Sequence, residues 1–358
     1  MKVAIIGAGL SGLACAQELL RLGIRPTIFE KKGYIGQDYL YSNTTLRIFD
    51  RTYRSSKNYL NNKYNLRLRC FSPLRQITMF GPKKKAVERG RLGYIYMRGE
   101  EKDSLENQLA SNIDLQILFD SFVKIDDIKN SFDYVVVATG DETVAANLDV
   151  WTTTFNVSTR VAHVLGNFKI DSVTMWVNRE YSKDCYAYLS PHSNKNARMM
   201  LSVNGITCKE LDYYWKEFLS KEEIPYNVFE TKDIEHKLGY VSTAKVGNIY
   251  LVGNSAGLID DFLGFGAINA IESGILAARS IFGGLDYNEL IKHIKDYVHT
   301  LHEFRKLLSR FDNKDYDFLL GFLDICLIKQ LIYNNPLVKG KTFAFFAKAY
   351  NNMLKQNK

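Results

Sequence analysis

Three glycines, Gly7, Gly9 and Gly12, follow directly after the apolar run Val3–Ile6 near the start of the chain. In this spacing the first glycine allows a tight turn, and the second lets the backbone approach a pyrophosphate. The third lets the following helix pack closely against the strand. Unpaired N–H groups and the helix dipole favour negative charge at the start of that helix. The loop therefore predicts a binding site for a pyrophosphate.

The segments around this loop complete a dinucleotide-binding unit. A helical pattern runs from the loop to Gly23, and a second β-like segment, Pro26–Phe29, ends at Glu30. Strand, glycine turn, helix, strand and acidic residue occur in the order and spacing of a βαβ fingerprint, which is more specific than a glycine triplet alone. We expect the Glu30 carboxylate to accept hydrogen bonds from an adenosine ribose.

Three later segments indicate that the chain returns to this first domain. The run Asp133–Gly140 has the continuous apolar sequence of a buried strand in a parallel sheet. A second apolar strand, 248–252, opens into the small residues Gly253–Gly257. A glycine-rich stretch, Leu263–Ile268, then leads into a helix whose small residues allow close approach to a sheet or a ligand.

The middle of the chain has a different pattern. Short β-prone runs separated by turn residues are typical of a mostly antiparallel sheet, and they occupy Val157–Leu165, Ser172–Asn178, Cys185–Leu189 and Ala197–Val203. An amphipathic helix is predicted over Lys209–Lys221. In residues 31–98 the sequence patterns are too weak to assign helices or strands. We therefore predict an α/β protein with a discontinuous dinucleotide-binding domain (1–145 and 240–285), an inserted antiparallel β-sheet substrate domain (146–239) and a helical C-terminal region (286–358).

The late glycine region allows a comparison with a known family. It reads Gly253-Asn-Ser-Ala-Gly257, then Gly264-Phe-Gly266, then Ser273-Gly274. Together with the N-terminal fingerprint and the strand end Ala138–Gly140, it resembles the geranylgeranyl reductase family of FAD-dependent oxidoreductases, which has the flavoprotein fold of para-hydroxybenzoate hydroxylase. The segment Cys185–Pro191 is similar to an aromatic motif on that family's substrate side, which usually ends in Phe-Pro.

The resemblance implies FAD as the cofactor, held by a Rossmann-like domain. The helix that begins after Gly266 would direct its N-terminus towards the pyrimidine edge of the flavin, where partial positive charge stabilises the anionic reduced ring. The cofactor contacts that it implies come from Gly7, Gly9, Leu10, Ser11, Gly12, Glu30, Lys31, Arg98, Thr139, Gly140, Gly253, Asn254, Gly264, Gly266 and Ala267.

Two positions depart from the family's pattern. Asn254 stands where the family has an aspartate that bonds the ribityl or pyrophosphate region, and Asp261 stands where it has a proline near the isoalloxazine. Asparagine still donates and accepts hydrogen bonds, and a carboxylate beside a flavin can exchange a proton. Asp261 is therefore one candidate catalytic residue, and Tyr188, in the aromatic motif, is the other.

The implied reaction is reduction of carbon–carbon double bonds in an isoprenoid or other apolar lipid by hydride from reduced flavin. The electron donor is expected to be a nicotinamide cofactor or a ferredoxin. One alternative is a flavin-dependent monooxygenase or halogenase, although the halogenases' Trp-x-Trp pair does not occur here. Another is a flavin-binding protein with little catalytic activity. An ordinary NAD(P)-binding module fits least, because Glu30 would repel an NADP 2′-phosphate.

Composition restricts the remaining function classes. The 358 residues carry a formal net charge of +8, but they contain no recognisable nucleic-acid-binding module, so we expect no nucleic-acid partner. Five cysteines without metal-like spacing predict reduced thiols, no metal site and a cytoplasmic protein. The basic, aromatic pattern over 341–355 indicates a packed helix, with peripheral membrane contact as the alternative. His192 is expected to be an exposed turn residue, with proton donation as the alternative.

Overall fold

The computed structural model of the chain describes residues 1–36, 41–49 and 55–325. Within these residues the strands are β1 (Val3–Ile6), β2 (Thr27–Phe29), β3 (Tyr41–Leu46), β4 (Ser72–Phe80), β5 (Lys85–Arg98), β6 (Ile117–Leu118), β7 (Tyr134–Val137), β8 (Trp151–Leu165), β9 (Ser172–Trp176), β10 (Ala187–Pro191), β11 (Asn196–Asn204), β12 (Asn227–Val241), β13 (Lys245–Val246) and β14 (Ile249–Leu251). The helices are α1 (Leu10–Arg21), α2 (Ser56–Tyr64), α3 (Leu105–Ala110), α4 (Ile125–Ile128), α5 (Thr143–Asn147), α6 (Arg179–Ser182), α7 (Leu211–Lys221), α8 (Ala267–Gly283), α9 (Tyr287–Leu308) and α10 (Asn313–Leu323).

The chain forms two compact units, and unit 1 comprises Met1–Leu40, Arg98–Thr154 and Lys237–Leu301. Its sheet has the strand order β13-β14-β7-β1-β2-β6, in which only the β13–β14 pair is antiparallel. β1 and β14 are buried at every residue. Their sequences are continuously apolar because a parallel sheet covered on both faces has no solvent-facing positions. The predicted return of the chain to this sheet is confirmed, since β14 pairs with β7 and β7 with β1.

Unit 2 comprises Tyr41–Met97, Phe155–His236 and His302–Lys358. Its sheet has the order β12-β8-β11-β10-β9-β4-β5-β3. The pairs β8–β11, β11–β10, β10–β9 and β4–β5 are antiparallel, whereas β4 and β9 are parallel. The prediction of a mostly antiparallel second sheet is confirmed.

One face of the unit 2 sheet carries an apolar core. Helix α7, preceded by a capping box between Thr207 and Glu210, contributes Leu211, Trp215 and Phe218 at helical spacing. They join alternate residues of three strands, namely Ala162, Val164, Ala187, Leu189, Ala197, Met199, Leu201 and Val203. Because successive side chains of a strand point to opposite faces, the residues between them lie on the other face of the sheet.

The assignment of residues 41–97 differs from the predicted domain boundaries. The prediction assigned them to the dinucleotide-binding domain, but in the structure they form β3, α2, β4 and β5 of unit 2. β5 has three consecutive exposed residues, Arg89–Arg91, and its register with β4 shifts between Leu74 and Gln76. These irregularities interrupt the alternation of apolar and polar residues that identifies a strand from sequence.

Helices α9 and α10 confirm a helical C-terminal region as far as Leu323. Helix α10 begins at a capping box formed by Asp312 and Asp315. Residues 326–358, which include the basic, aromatic pattern, lie outside the described residues. Within the described part of the chain, no helix combines the length and the apolar character needed to cross a bilayer.

Candidate dinucleotide-binding site

In the glycine loop between β1 and α1, two of the three glycines lie against other atoms of the protein, and the third borders open space. Gly7 has φ +106°, and a β-carbon at Gly12 would overlap the carbonyl oxygen of Gly7. A β-carbon at Gly9, in contrast, would meet no atom of the described residues within 4 Å. Gly9 also precedes α1 without a capping side chain, which leaves the helix N-terminus open to an anion.

The Glu30 carboxylate is held against this loop. Its side chain is only 6% exposed, and Oε2 accepts a hydrogen bond from the Ala8 N–H at 2.7 Å. Oε1 accepts from the Lys32 N–H at 3.0 Å. Because each carboxylate oxygen can accept more than one hydrogen bond, the carboxylate keeps capacity for the hydroxyls of a ribose. Lys31, by contrast, is exposed.

The ends of β7 and β14 bring two distant motifs together beside the loop. The Thr139 and Ser255 hydroxyls are 3.0 Å apart, and Asn254 Nδ2 donates to the Gly140 carbonyl oxygen at 2.6 Å. An ionised aspartate at position 254 could not donate to this carbonyl oxygen. Asn254 Oδ1 is buried and has no hydrogen-bond partner among the described residues, so it is available to a ligand.

The loop before α8 is organised by Asp260, a residue that the sequence analysis missed. Its carboxylate is fully buried and accepts hydrogen bonds from the N–H groups of Phe262, Leu263 and Phe265. Burial raises the pKa of Asp260 to about 7, although these N–H donors act in the opposite direction. An aspartate three residues before the Leu263-Gly-Phe-Gly stretch has the turn-forming chemistry that could have identified it.

Helix α8 places its N-terminus in the same unit as the glycine loop. A β-carbon at Gly274 would overlap the carbonyl oxygen of Ser11, so α8 lies directly against the first turn of α1. The Gly253 N–H donates to Ser273 Oγ at 2.9 Å, which ties the late motif to α8. Gly266 precedes α8 without a capping side chain, and Ala267 is its first residue. Unit 1 thus contains the N-termini of α1 and α8 together with the buried carboxylates of Glu30 and Asp260.

This arrangement has counterparts among known proteins. A sequence model of the NAD(P)-binding Rossmann-like domain matches residues 5–61. The structure is similar to that of a geranylgeranyl bacteriochlorophyll reductase-like protein from Thermoplasma acidophilum, with 14% identity, TM-score 0.73 and coverage of 97% of this chain and 98% of that one. It is similar to a flavoprotein/dehydrogenase from Cytophaga hutchinsonii (15% identity, TM-score 0.63, coverage 98% and 100%) and to CmlS, a flavin-dependent halogenase (14% identity, TM-score 0.65, coverage 99% and 78%).

This chain has the flavoprotein fold. The predicted fold class and the resemblance to the geranylgeranyl reductase group are therefore confirmed at the level of fold. Within unit 1 of the flavoprotein fold, the contacts described above connect the predicted positions Gly7, Ser11, Gly12, Glu30, Thr139, Gly140, Gly253 and Asn254. Leu10 and Ala267 begin the two helices, and Gly264 lies in the loop that Asp260 orders.

Arg98 has a structural partner in this flavoprotein fold. Its Nε donates to Glu106 Oε1 at 2.7 Å, and both side chains are buried. Removing one member of a buried ion pair leaves an uncompensated charge, so Arg98 stabilises unit 1 through this pair. Its predicted contact with a pyrophosphate stays a prediction.

The two candidate catalytic residues belong to different units. Asp261 is in unit 1 and is 8% exposed, whereas Tyr188 is on β10 in unit 2. The Tyr188 hydroxyl lies 3.4 Å from the Ser42 carbonyl oxygen, to which it donates. Their catalytic roles stay predictions.

His192 is not the exposed turn residue that we expected. Both of its ring nitrogens are buried, and neither has a hydrogen-bond partner among the described residues. Burial, together with the smaller effects of Arg198 and His163, lowers the pKa of His192 to about 3. The His192 N–H donates to the Asn196 carbonyl oxygen within the turn between β10 and β11, and sequence patterns of turn residues do not reveal that the ring is buried.

This burial predicts a pH-dependent stability. An unfolded histidine has a pKa of about 6.5, so between pH 6.5 and 3 the unfolded chain binds more protons than the folded one. Stability is therefore lost as the pH falls below 6.5, by about 2 kcal/mol at pH 5 from this residue. Urea unfolding at pH 7 and pH 5 should show this difference between the native protein and His192→Phe. Equal pH dependence in both proteins would contradict a buried, neutral His192.

Proposed function

We propose that this protein is a FAD-dependent oxidoreductase that reduces carbon–carbon double bonds of an isoprenoid or other apolar lipid. The observation that supports FAD most directly is the contact between the two glycine motifs. Gly253 and Gly274, from the late segment, both lie against Ser11 in the first turn of α1. A simple nicotinamide-binding unit needs only the first motif, whereas a flavin dinucleotide also needs groups for its flavin end.

The residues of unit 1 fit such a dinucleotide. The open space at Gly9 and the N-terminus of α1 suit the pyrophosphate, and Glu30 suits the adenosine ribose. The buried Oδ1 of Asn254 and the N-terminus of α8 would hold groups nearer the flavin. When bound, FAD supplies the hydride chemistry of double-bond reduction. Asp261 and Tyr188 are the proposed sources of the accompanying proton.

The face of the unit 2 sheet opposite α7 supports an apolar substrate, and at one end of it Met79 packs against a second apolar cluster that includes Ile77 and Val173. Met79, Met175, Tyr188, Met200 and Val161 are direct cross-strand partners on five neighbouring strands. Cross-strand partners lie side by side on one face, so these side chains form a continuous row, which we call the apolar row. Met175, Tyr188 and Met200 are only partly buried. Flexible methionines and an aromatic ring suit a chain of prenyl units.

The first test is the visible spectrum of the purified protein. We expect a yellow protein, and we expect Glu30→Ala to lower its affinity for FAD while Lys292→Ala, at an exposed position of α9, leaves the affinity unchanged. A colourless protein whose melting temperature does not respond to added FAD would overturn the proposal.

The second test addresses the reaction. The protein is reduced anaerobically with dithionite, which removes any dependence on the natural donor, a nicotinamide cofactor or a ferredoxin. It is then mixed with a panel of prenyl lipids. We expect one lipid to reoxidise the flavin and to gain two hydrogen atoms by mass spectrometry. Rapid oxygen consumption coupled to hydroxylation or halogenation would instead assign a monooxygenase or halogenase.

A further inference from the structure

The loop that leads into α8 is closed around one carboxylate, that of Asp260. Its oxygens accept three backbone N–H groups of the loop, with Phe262 at 3.1 Å and Leu263 at 2.7 Å on Oδ1 and Phe265 at 2.7 Å on Oδ2. The Asp260 backbone completes the closure, because its N–H donates to the Phe265 carbonyl oxygen and its own carbonyl oxygen accepts from the Gly264 N–H. Both carboxylate oxygens therefore hold the loop in one conformation.

The Asp260 carboxylate does not cap α8, although it lies in the loop directly before that helix. Gly266 precedes α8 without a capping side chain. A β-carbon at Gly266 would lie 2.4 Å from Ile259 Cγ1, so the end of the loop lies against its own beginning. The first N–H groups of a helix have no partner within it, and at α8 they remain available to a ligand. Asp260 thus fixes the approach to this helix terminus without occupying it.

The surroundings of Asp260 make its negative charge costly. The side chain is fully buried, and desolvation is the largest cause of the raised pKa of about 7, followed by the opposing effect of the N–H donors and the like charge of Asp261. Residues 267–271, which begin α8, include no titratable side chain. β12 approaches Gly257 at Gly239 and Tyr240, neither of which is charged near pH 7. Both forms of Asp260 are therefore populated near neutral pH.

A buried carboxylate beside a helix N-terminus is electrostatically coupled to whatever binds there. The partial positive charge of α8 favours a flavin that gains negative charge on reduction. An ionised Asp260 opposes that gain, and a neutral Asp260 does not, because charges in a protein interior are weakly screened. Coupling between two equilibria is reciprocal, so reduction of the flavin must favour the protonated form of Asp260 to the same extent.

We propose that Asp260 is a positioning residue for the flavin, which holds the loop before α8 and takes up a proton when the flavin is reduced. The electron donor supplies two electrons to the flavin. One proton goes to the flavin ring, and a second goes from water to the Asp260 carboxylate. This inference rests on the proposed function, in which unit 1 binds FAD, and it makes the flavin progressively harder to reduce as Asp260 ionises.

Spectroelectrochemical titration of the FAD-loaded, full-length protein from pH 6 to pH 9 measures how many protons accompany two electrons. We expect about one proton per two electrons at pH 6, where Asp260 is already protonated, and more than one above pH 7, where it is ionised before reduction. Asp260→Asn keeps the shape of the side chain but cannot ionise, so its value should stay near one above pH 7. Equal proton uptake in the two proteins above pH 7 would overturn the inference.

The matched control is Asp286→Asn. Asp286 also accepts backbone N–H groups before a helix, those of Asn288 and Glu289, but it is exposed. The control should show the proton uptake of the native protein. If it lost the extra proton as well, the effect would not belong to Asp260. If Asp260→Asn does not fold, Asp260→Ser, which keeps one acceptor without an ionisable group, takes its place.

Urea unfolding of the full-length protein without added FAD supplies a readout that needs no flavin. A folded carboxyl with a pKa of about 7 holds its proton up to a higher pH than the unfolded one, so its contribution to stability is lost as the pH rises from about 4 to 7. Between pH 5 and pH 8 the unfolding equilibrium constant should rise roughly 100-fold more in the native protein than in Asp260→Asn. An equal rise would show that Asp260 is ionised throughout, which contradicts the inference.

The outcomes separate this inference from the proposed function. A protein that binds FAD and reduces lipid, but whose proton uptake does not depend on Asp260, refutes only the role of Asp260. A protein that never binds FAD refutes the proposed function and with it the link to the flavin. In that case the unfolding experiment still shows whether Asp260 titrates near pH 7, so the two failures have different signatures.

Discussion

Replacing Gly9 with alanine is expected to lower the affinity for FAD at least about 100-fold, or about 2.8 kcal/mol, while the protein remains folded. Gly9 has φ −87°, which alanine adopts without strain, and no atom of the described residues lies within 4 Å of a β-carbon there. The added methyl group therefore meets only the space in which the pyrophosphate would approach the loop. Binding is lost through contact with the ligand and not through damage to the fold.

FAD titration followed by flavin fluorescence, together with urea unfolding, checks this prediction. Gly283→Ala is the matched control, because Gly283 ends α8, about 24 Å along the helix from its N-terminus. Gly283→Ala should leave both the affinity for FAD and the free energy of unfolding unchanged. Gly12→Ala should instead destabilise the protein itself, since its β-carbon would overlap the Gly7 carbonyl oxygen. If Gly9→Ala binds FAD like the native protein, the pyrophosphate does not lie at this loop.

Replacing Arg305 with methionine is expected to destabilise the protein by about 3–5 kcal/mol, the range for breaking a buried ion pair. Arg305 and Asp184 pair within unit 2, with side chains only 6% and 10% exposed. The guanidinium also donates to the Asp184 backbone carbonyl oxygen and lies 4.2 Å from the centre of the Phe155 ring. Methionine preserves much of the volume but leaves the Asp184 carboxylate buried without its cation.

Urea unfolding of three variants tests this prediction. Lys292→Met removes an exposed pair with Asp296 on the same helix, α9, and should cost less than about 1 kcal/mol. The double variant Arg305→Met with Asp184→Leu should recover much of the lost stability, because it removes both buried charges. If Arg305→Met lowered the free energy of unfolding no more than Lys292→Met, the Arg305–Asp184 pair would contribute little to stability.

Features of this protein that depend on neighbouring residues could be predicted from its sequence. The roles of Gly7, Gly9 and Gly12 follow from the backbone geometry of one turn, and Glu30 follows from the next strand. The apolar runs of β7 and β14 identify buried parallel strands because a strand covered on both faces needs no polar positions. These local rules predicted the βαβ unit and the buried strands, whereas the flavoprotein fold was expected from the resemblance carried by the late glycine region.

Contacts between distant parts of the chain could be identified from the tertiary structure but not from the sequence. The Asn254 amide donates to the carbonyl oxygen of Gly140, which lies 114 positions away in sequence. The burial of Asp260 and of the His192 ring nitrogens, and the inclusion of residues 41–97 in unit 2, likewise depend on which strands pair. Sequence patterns report how each residue relates to its neighbours. The hydrogen-bond partners and charges that set the chemistry of this protein come from residues far apart along the chain.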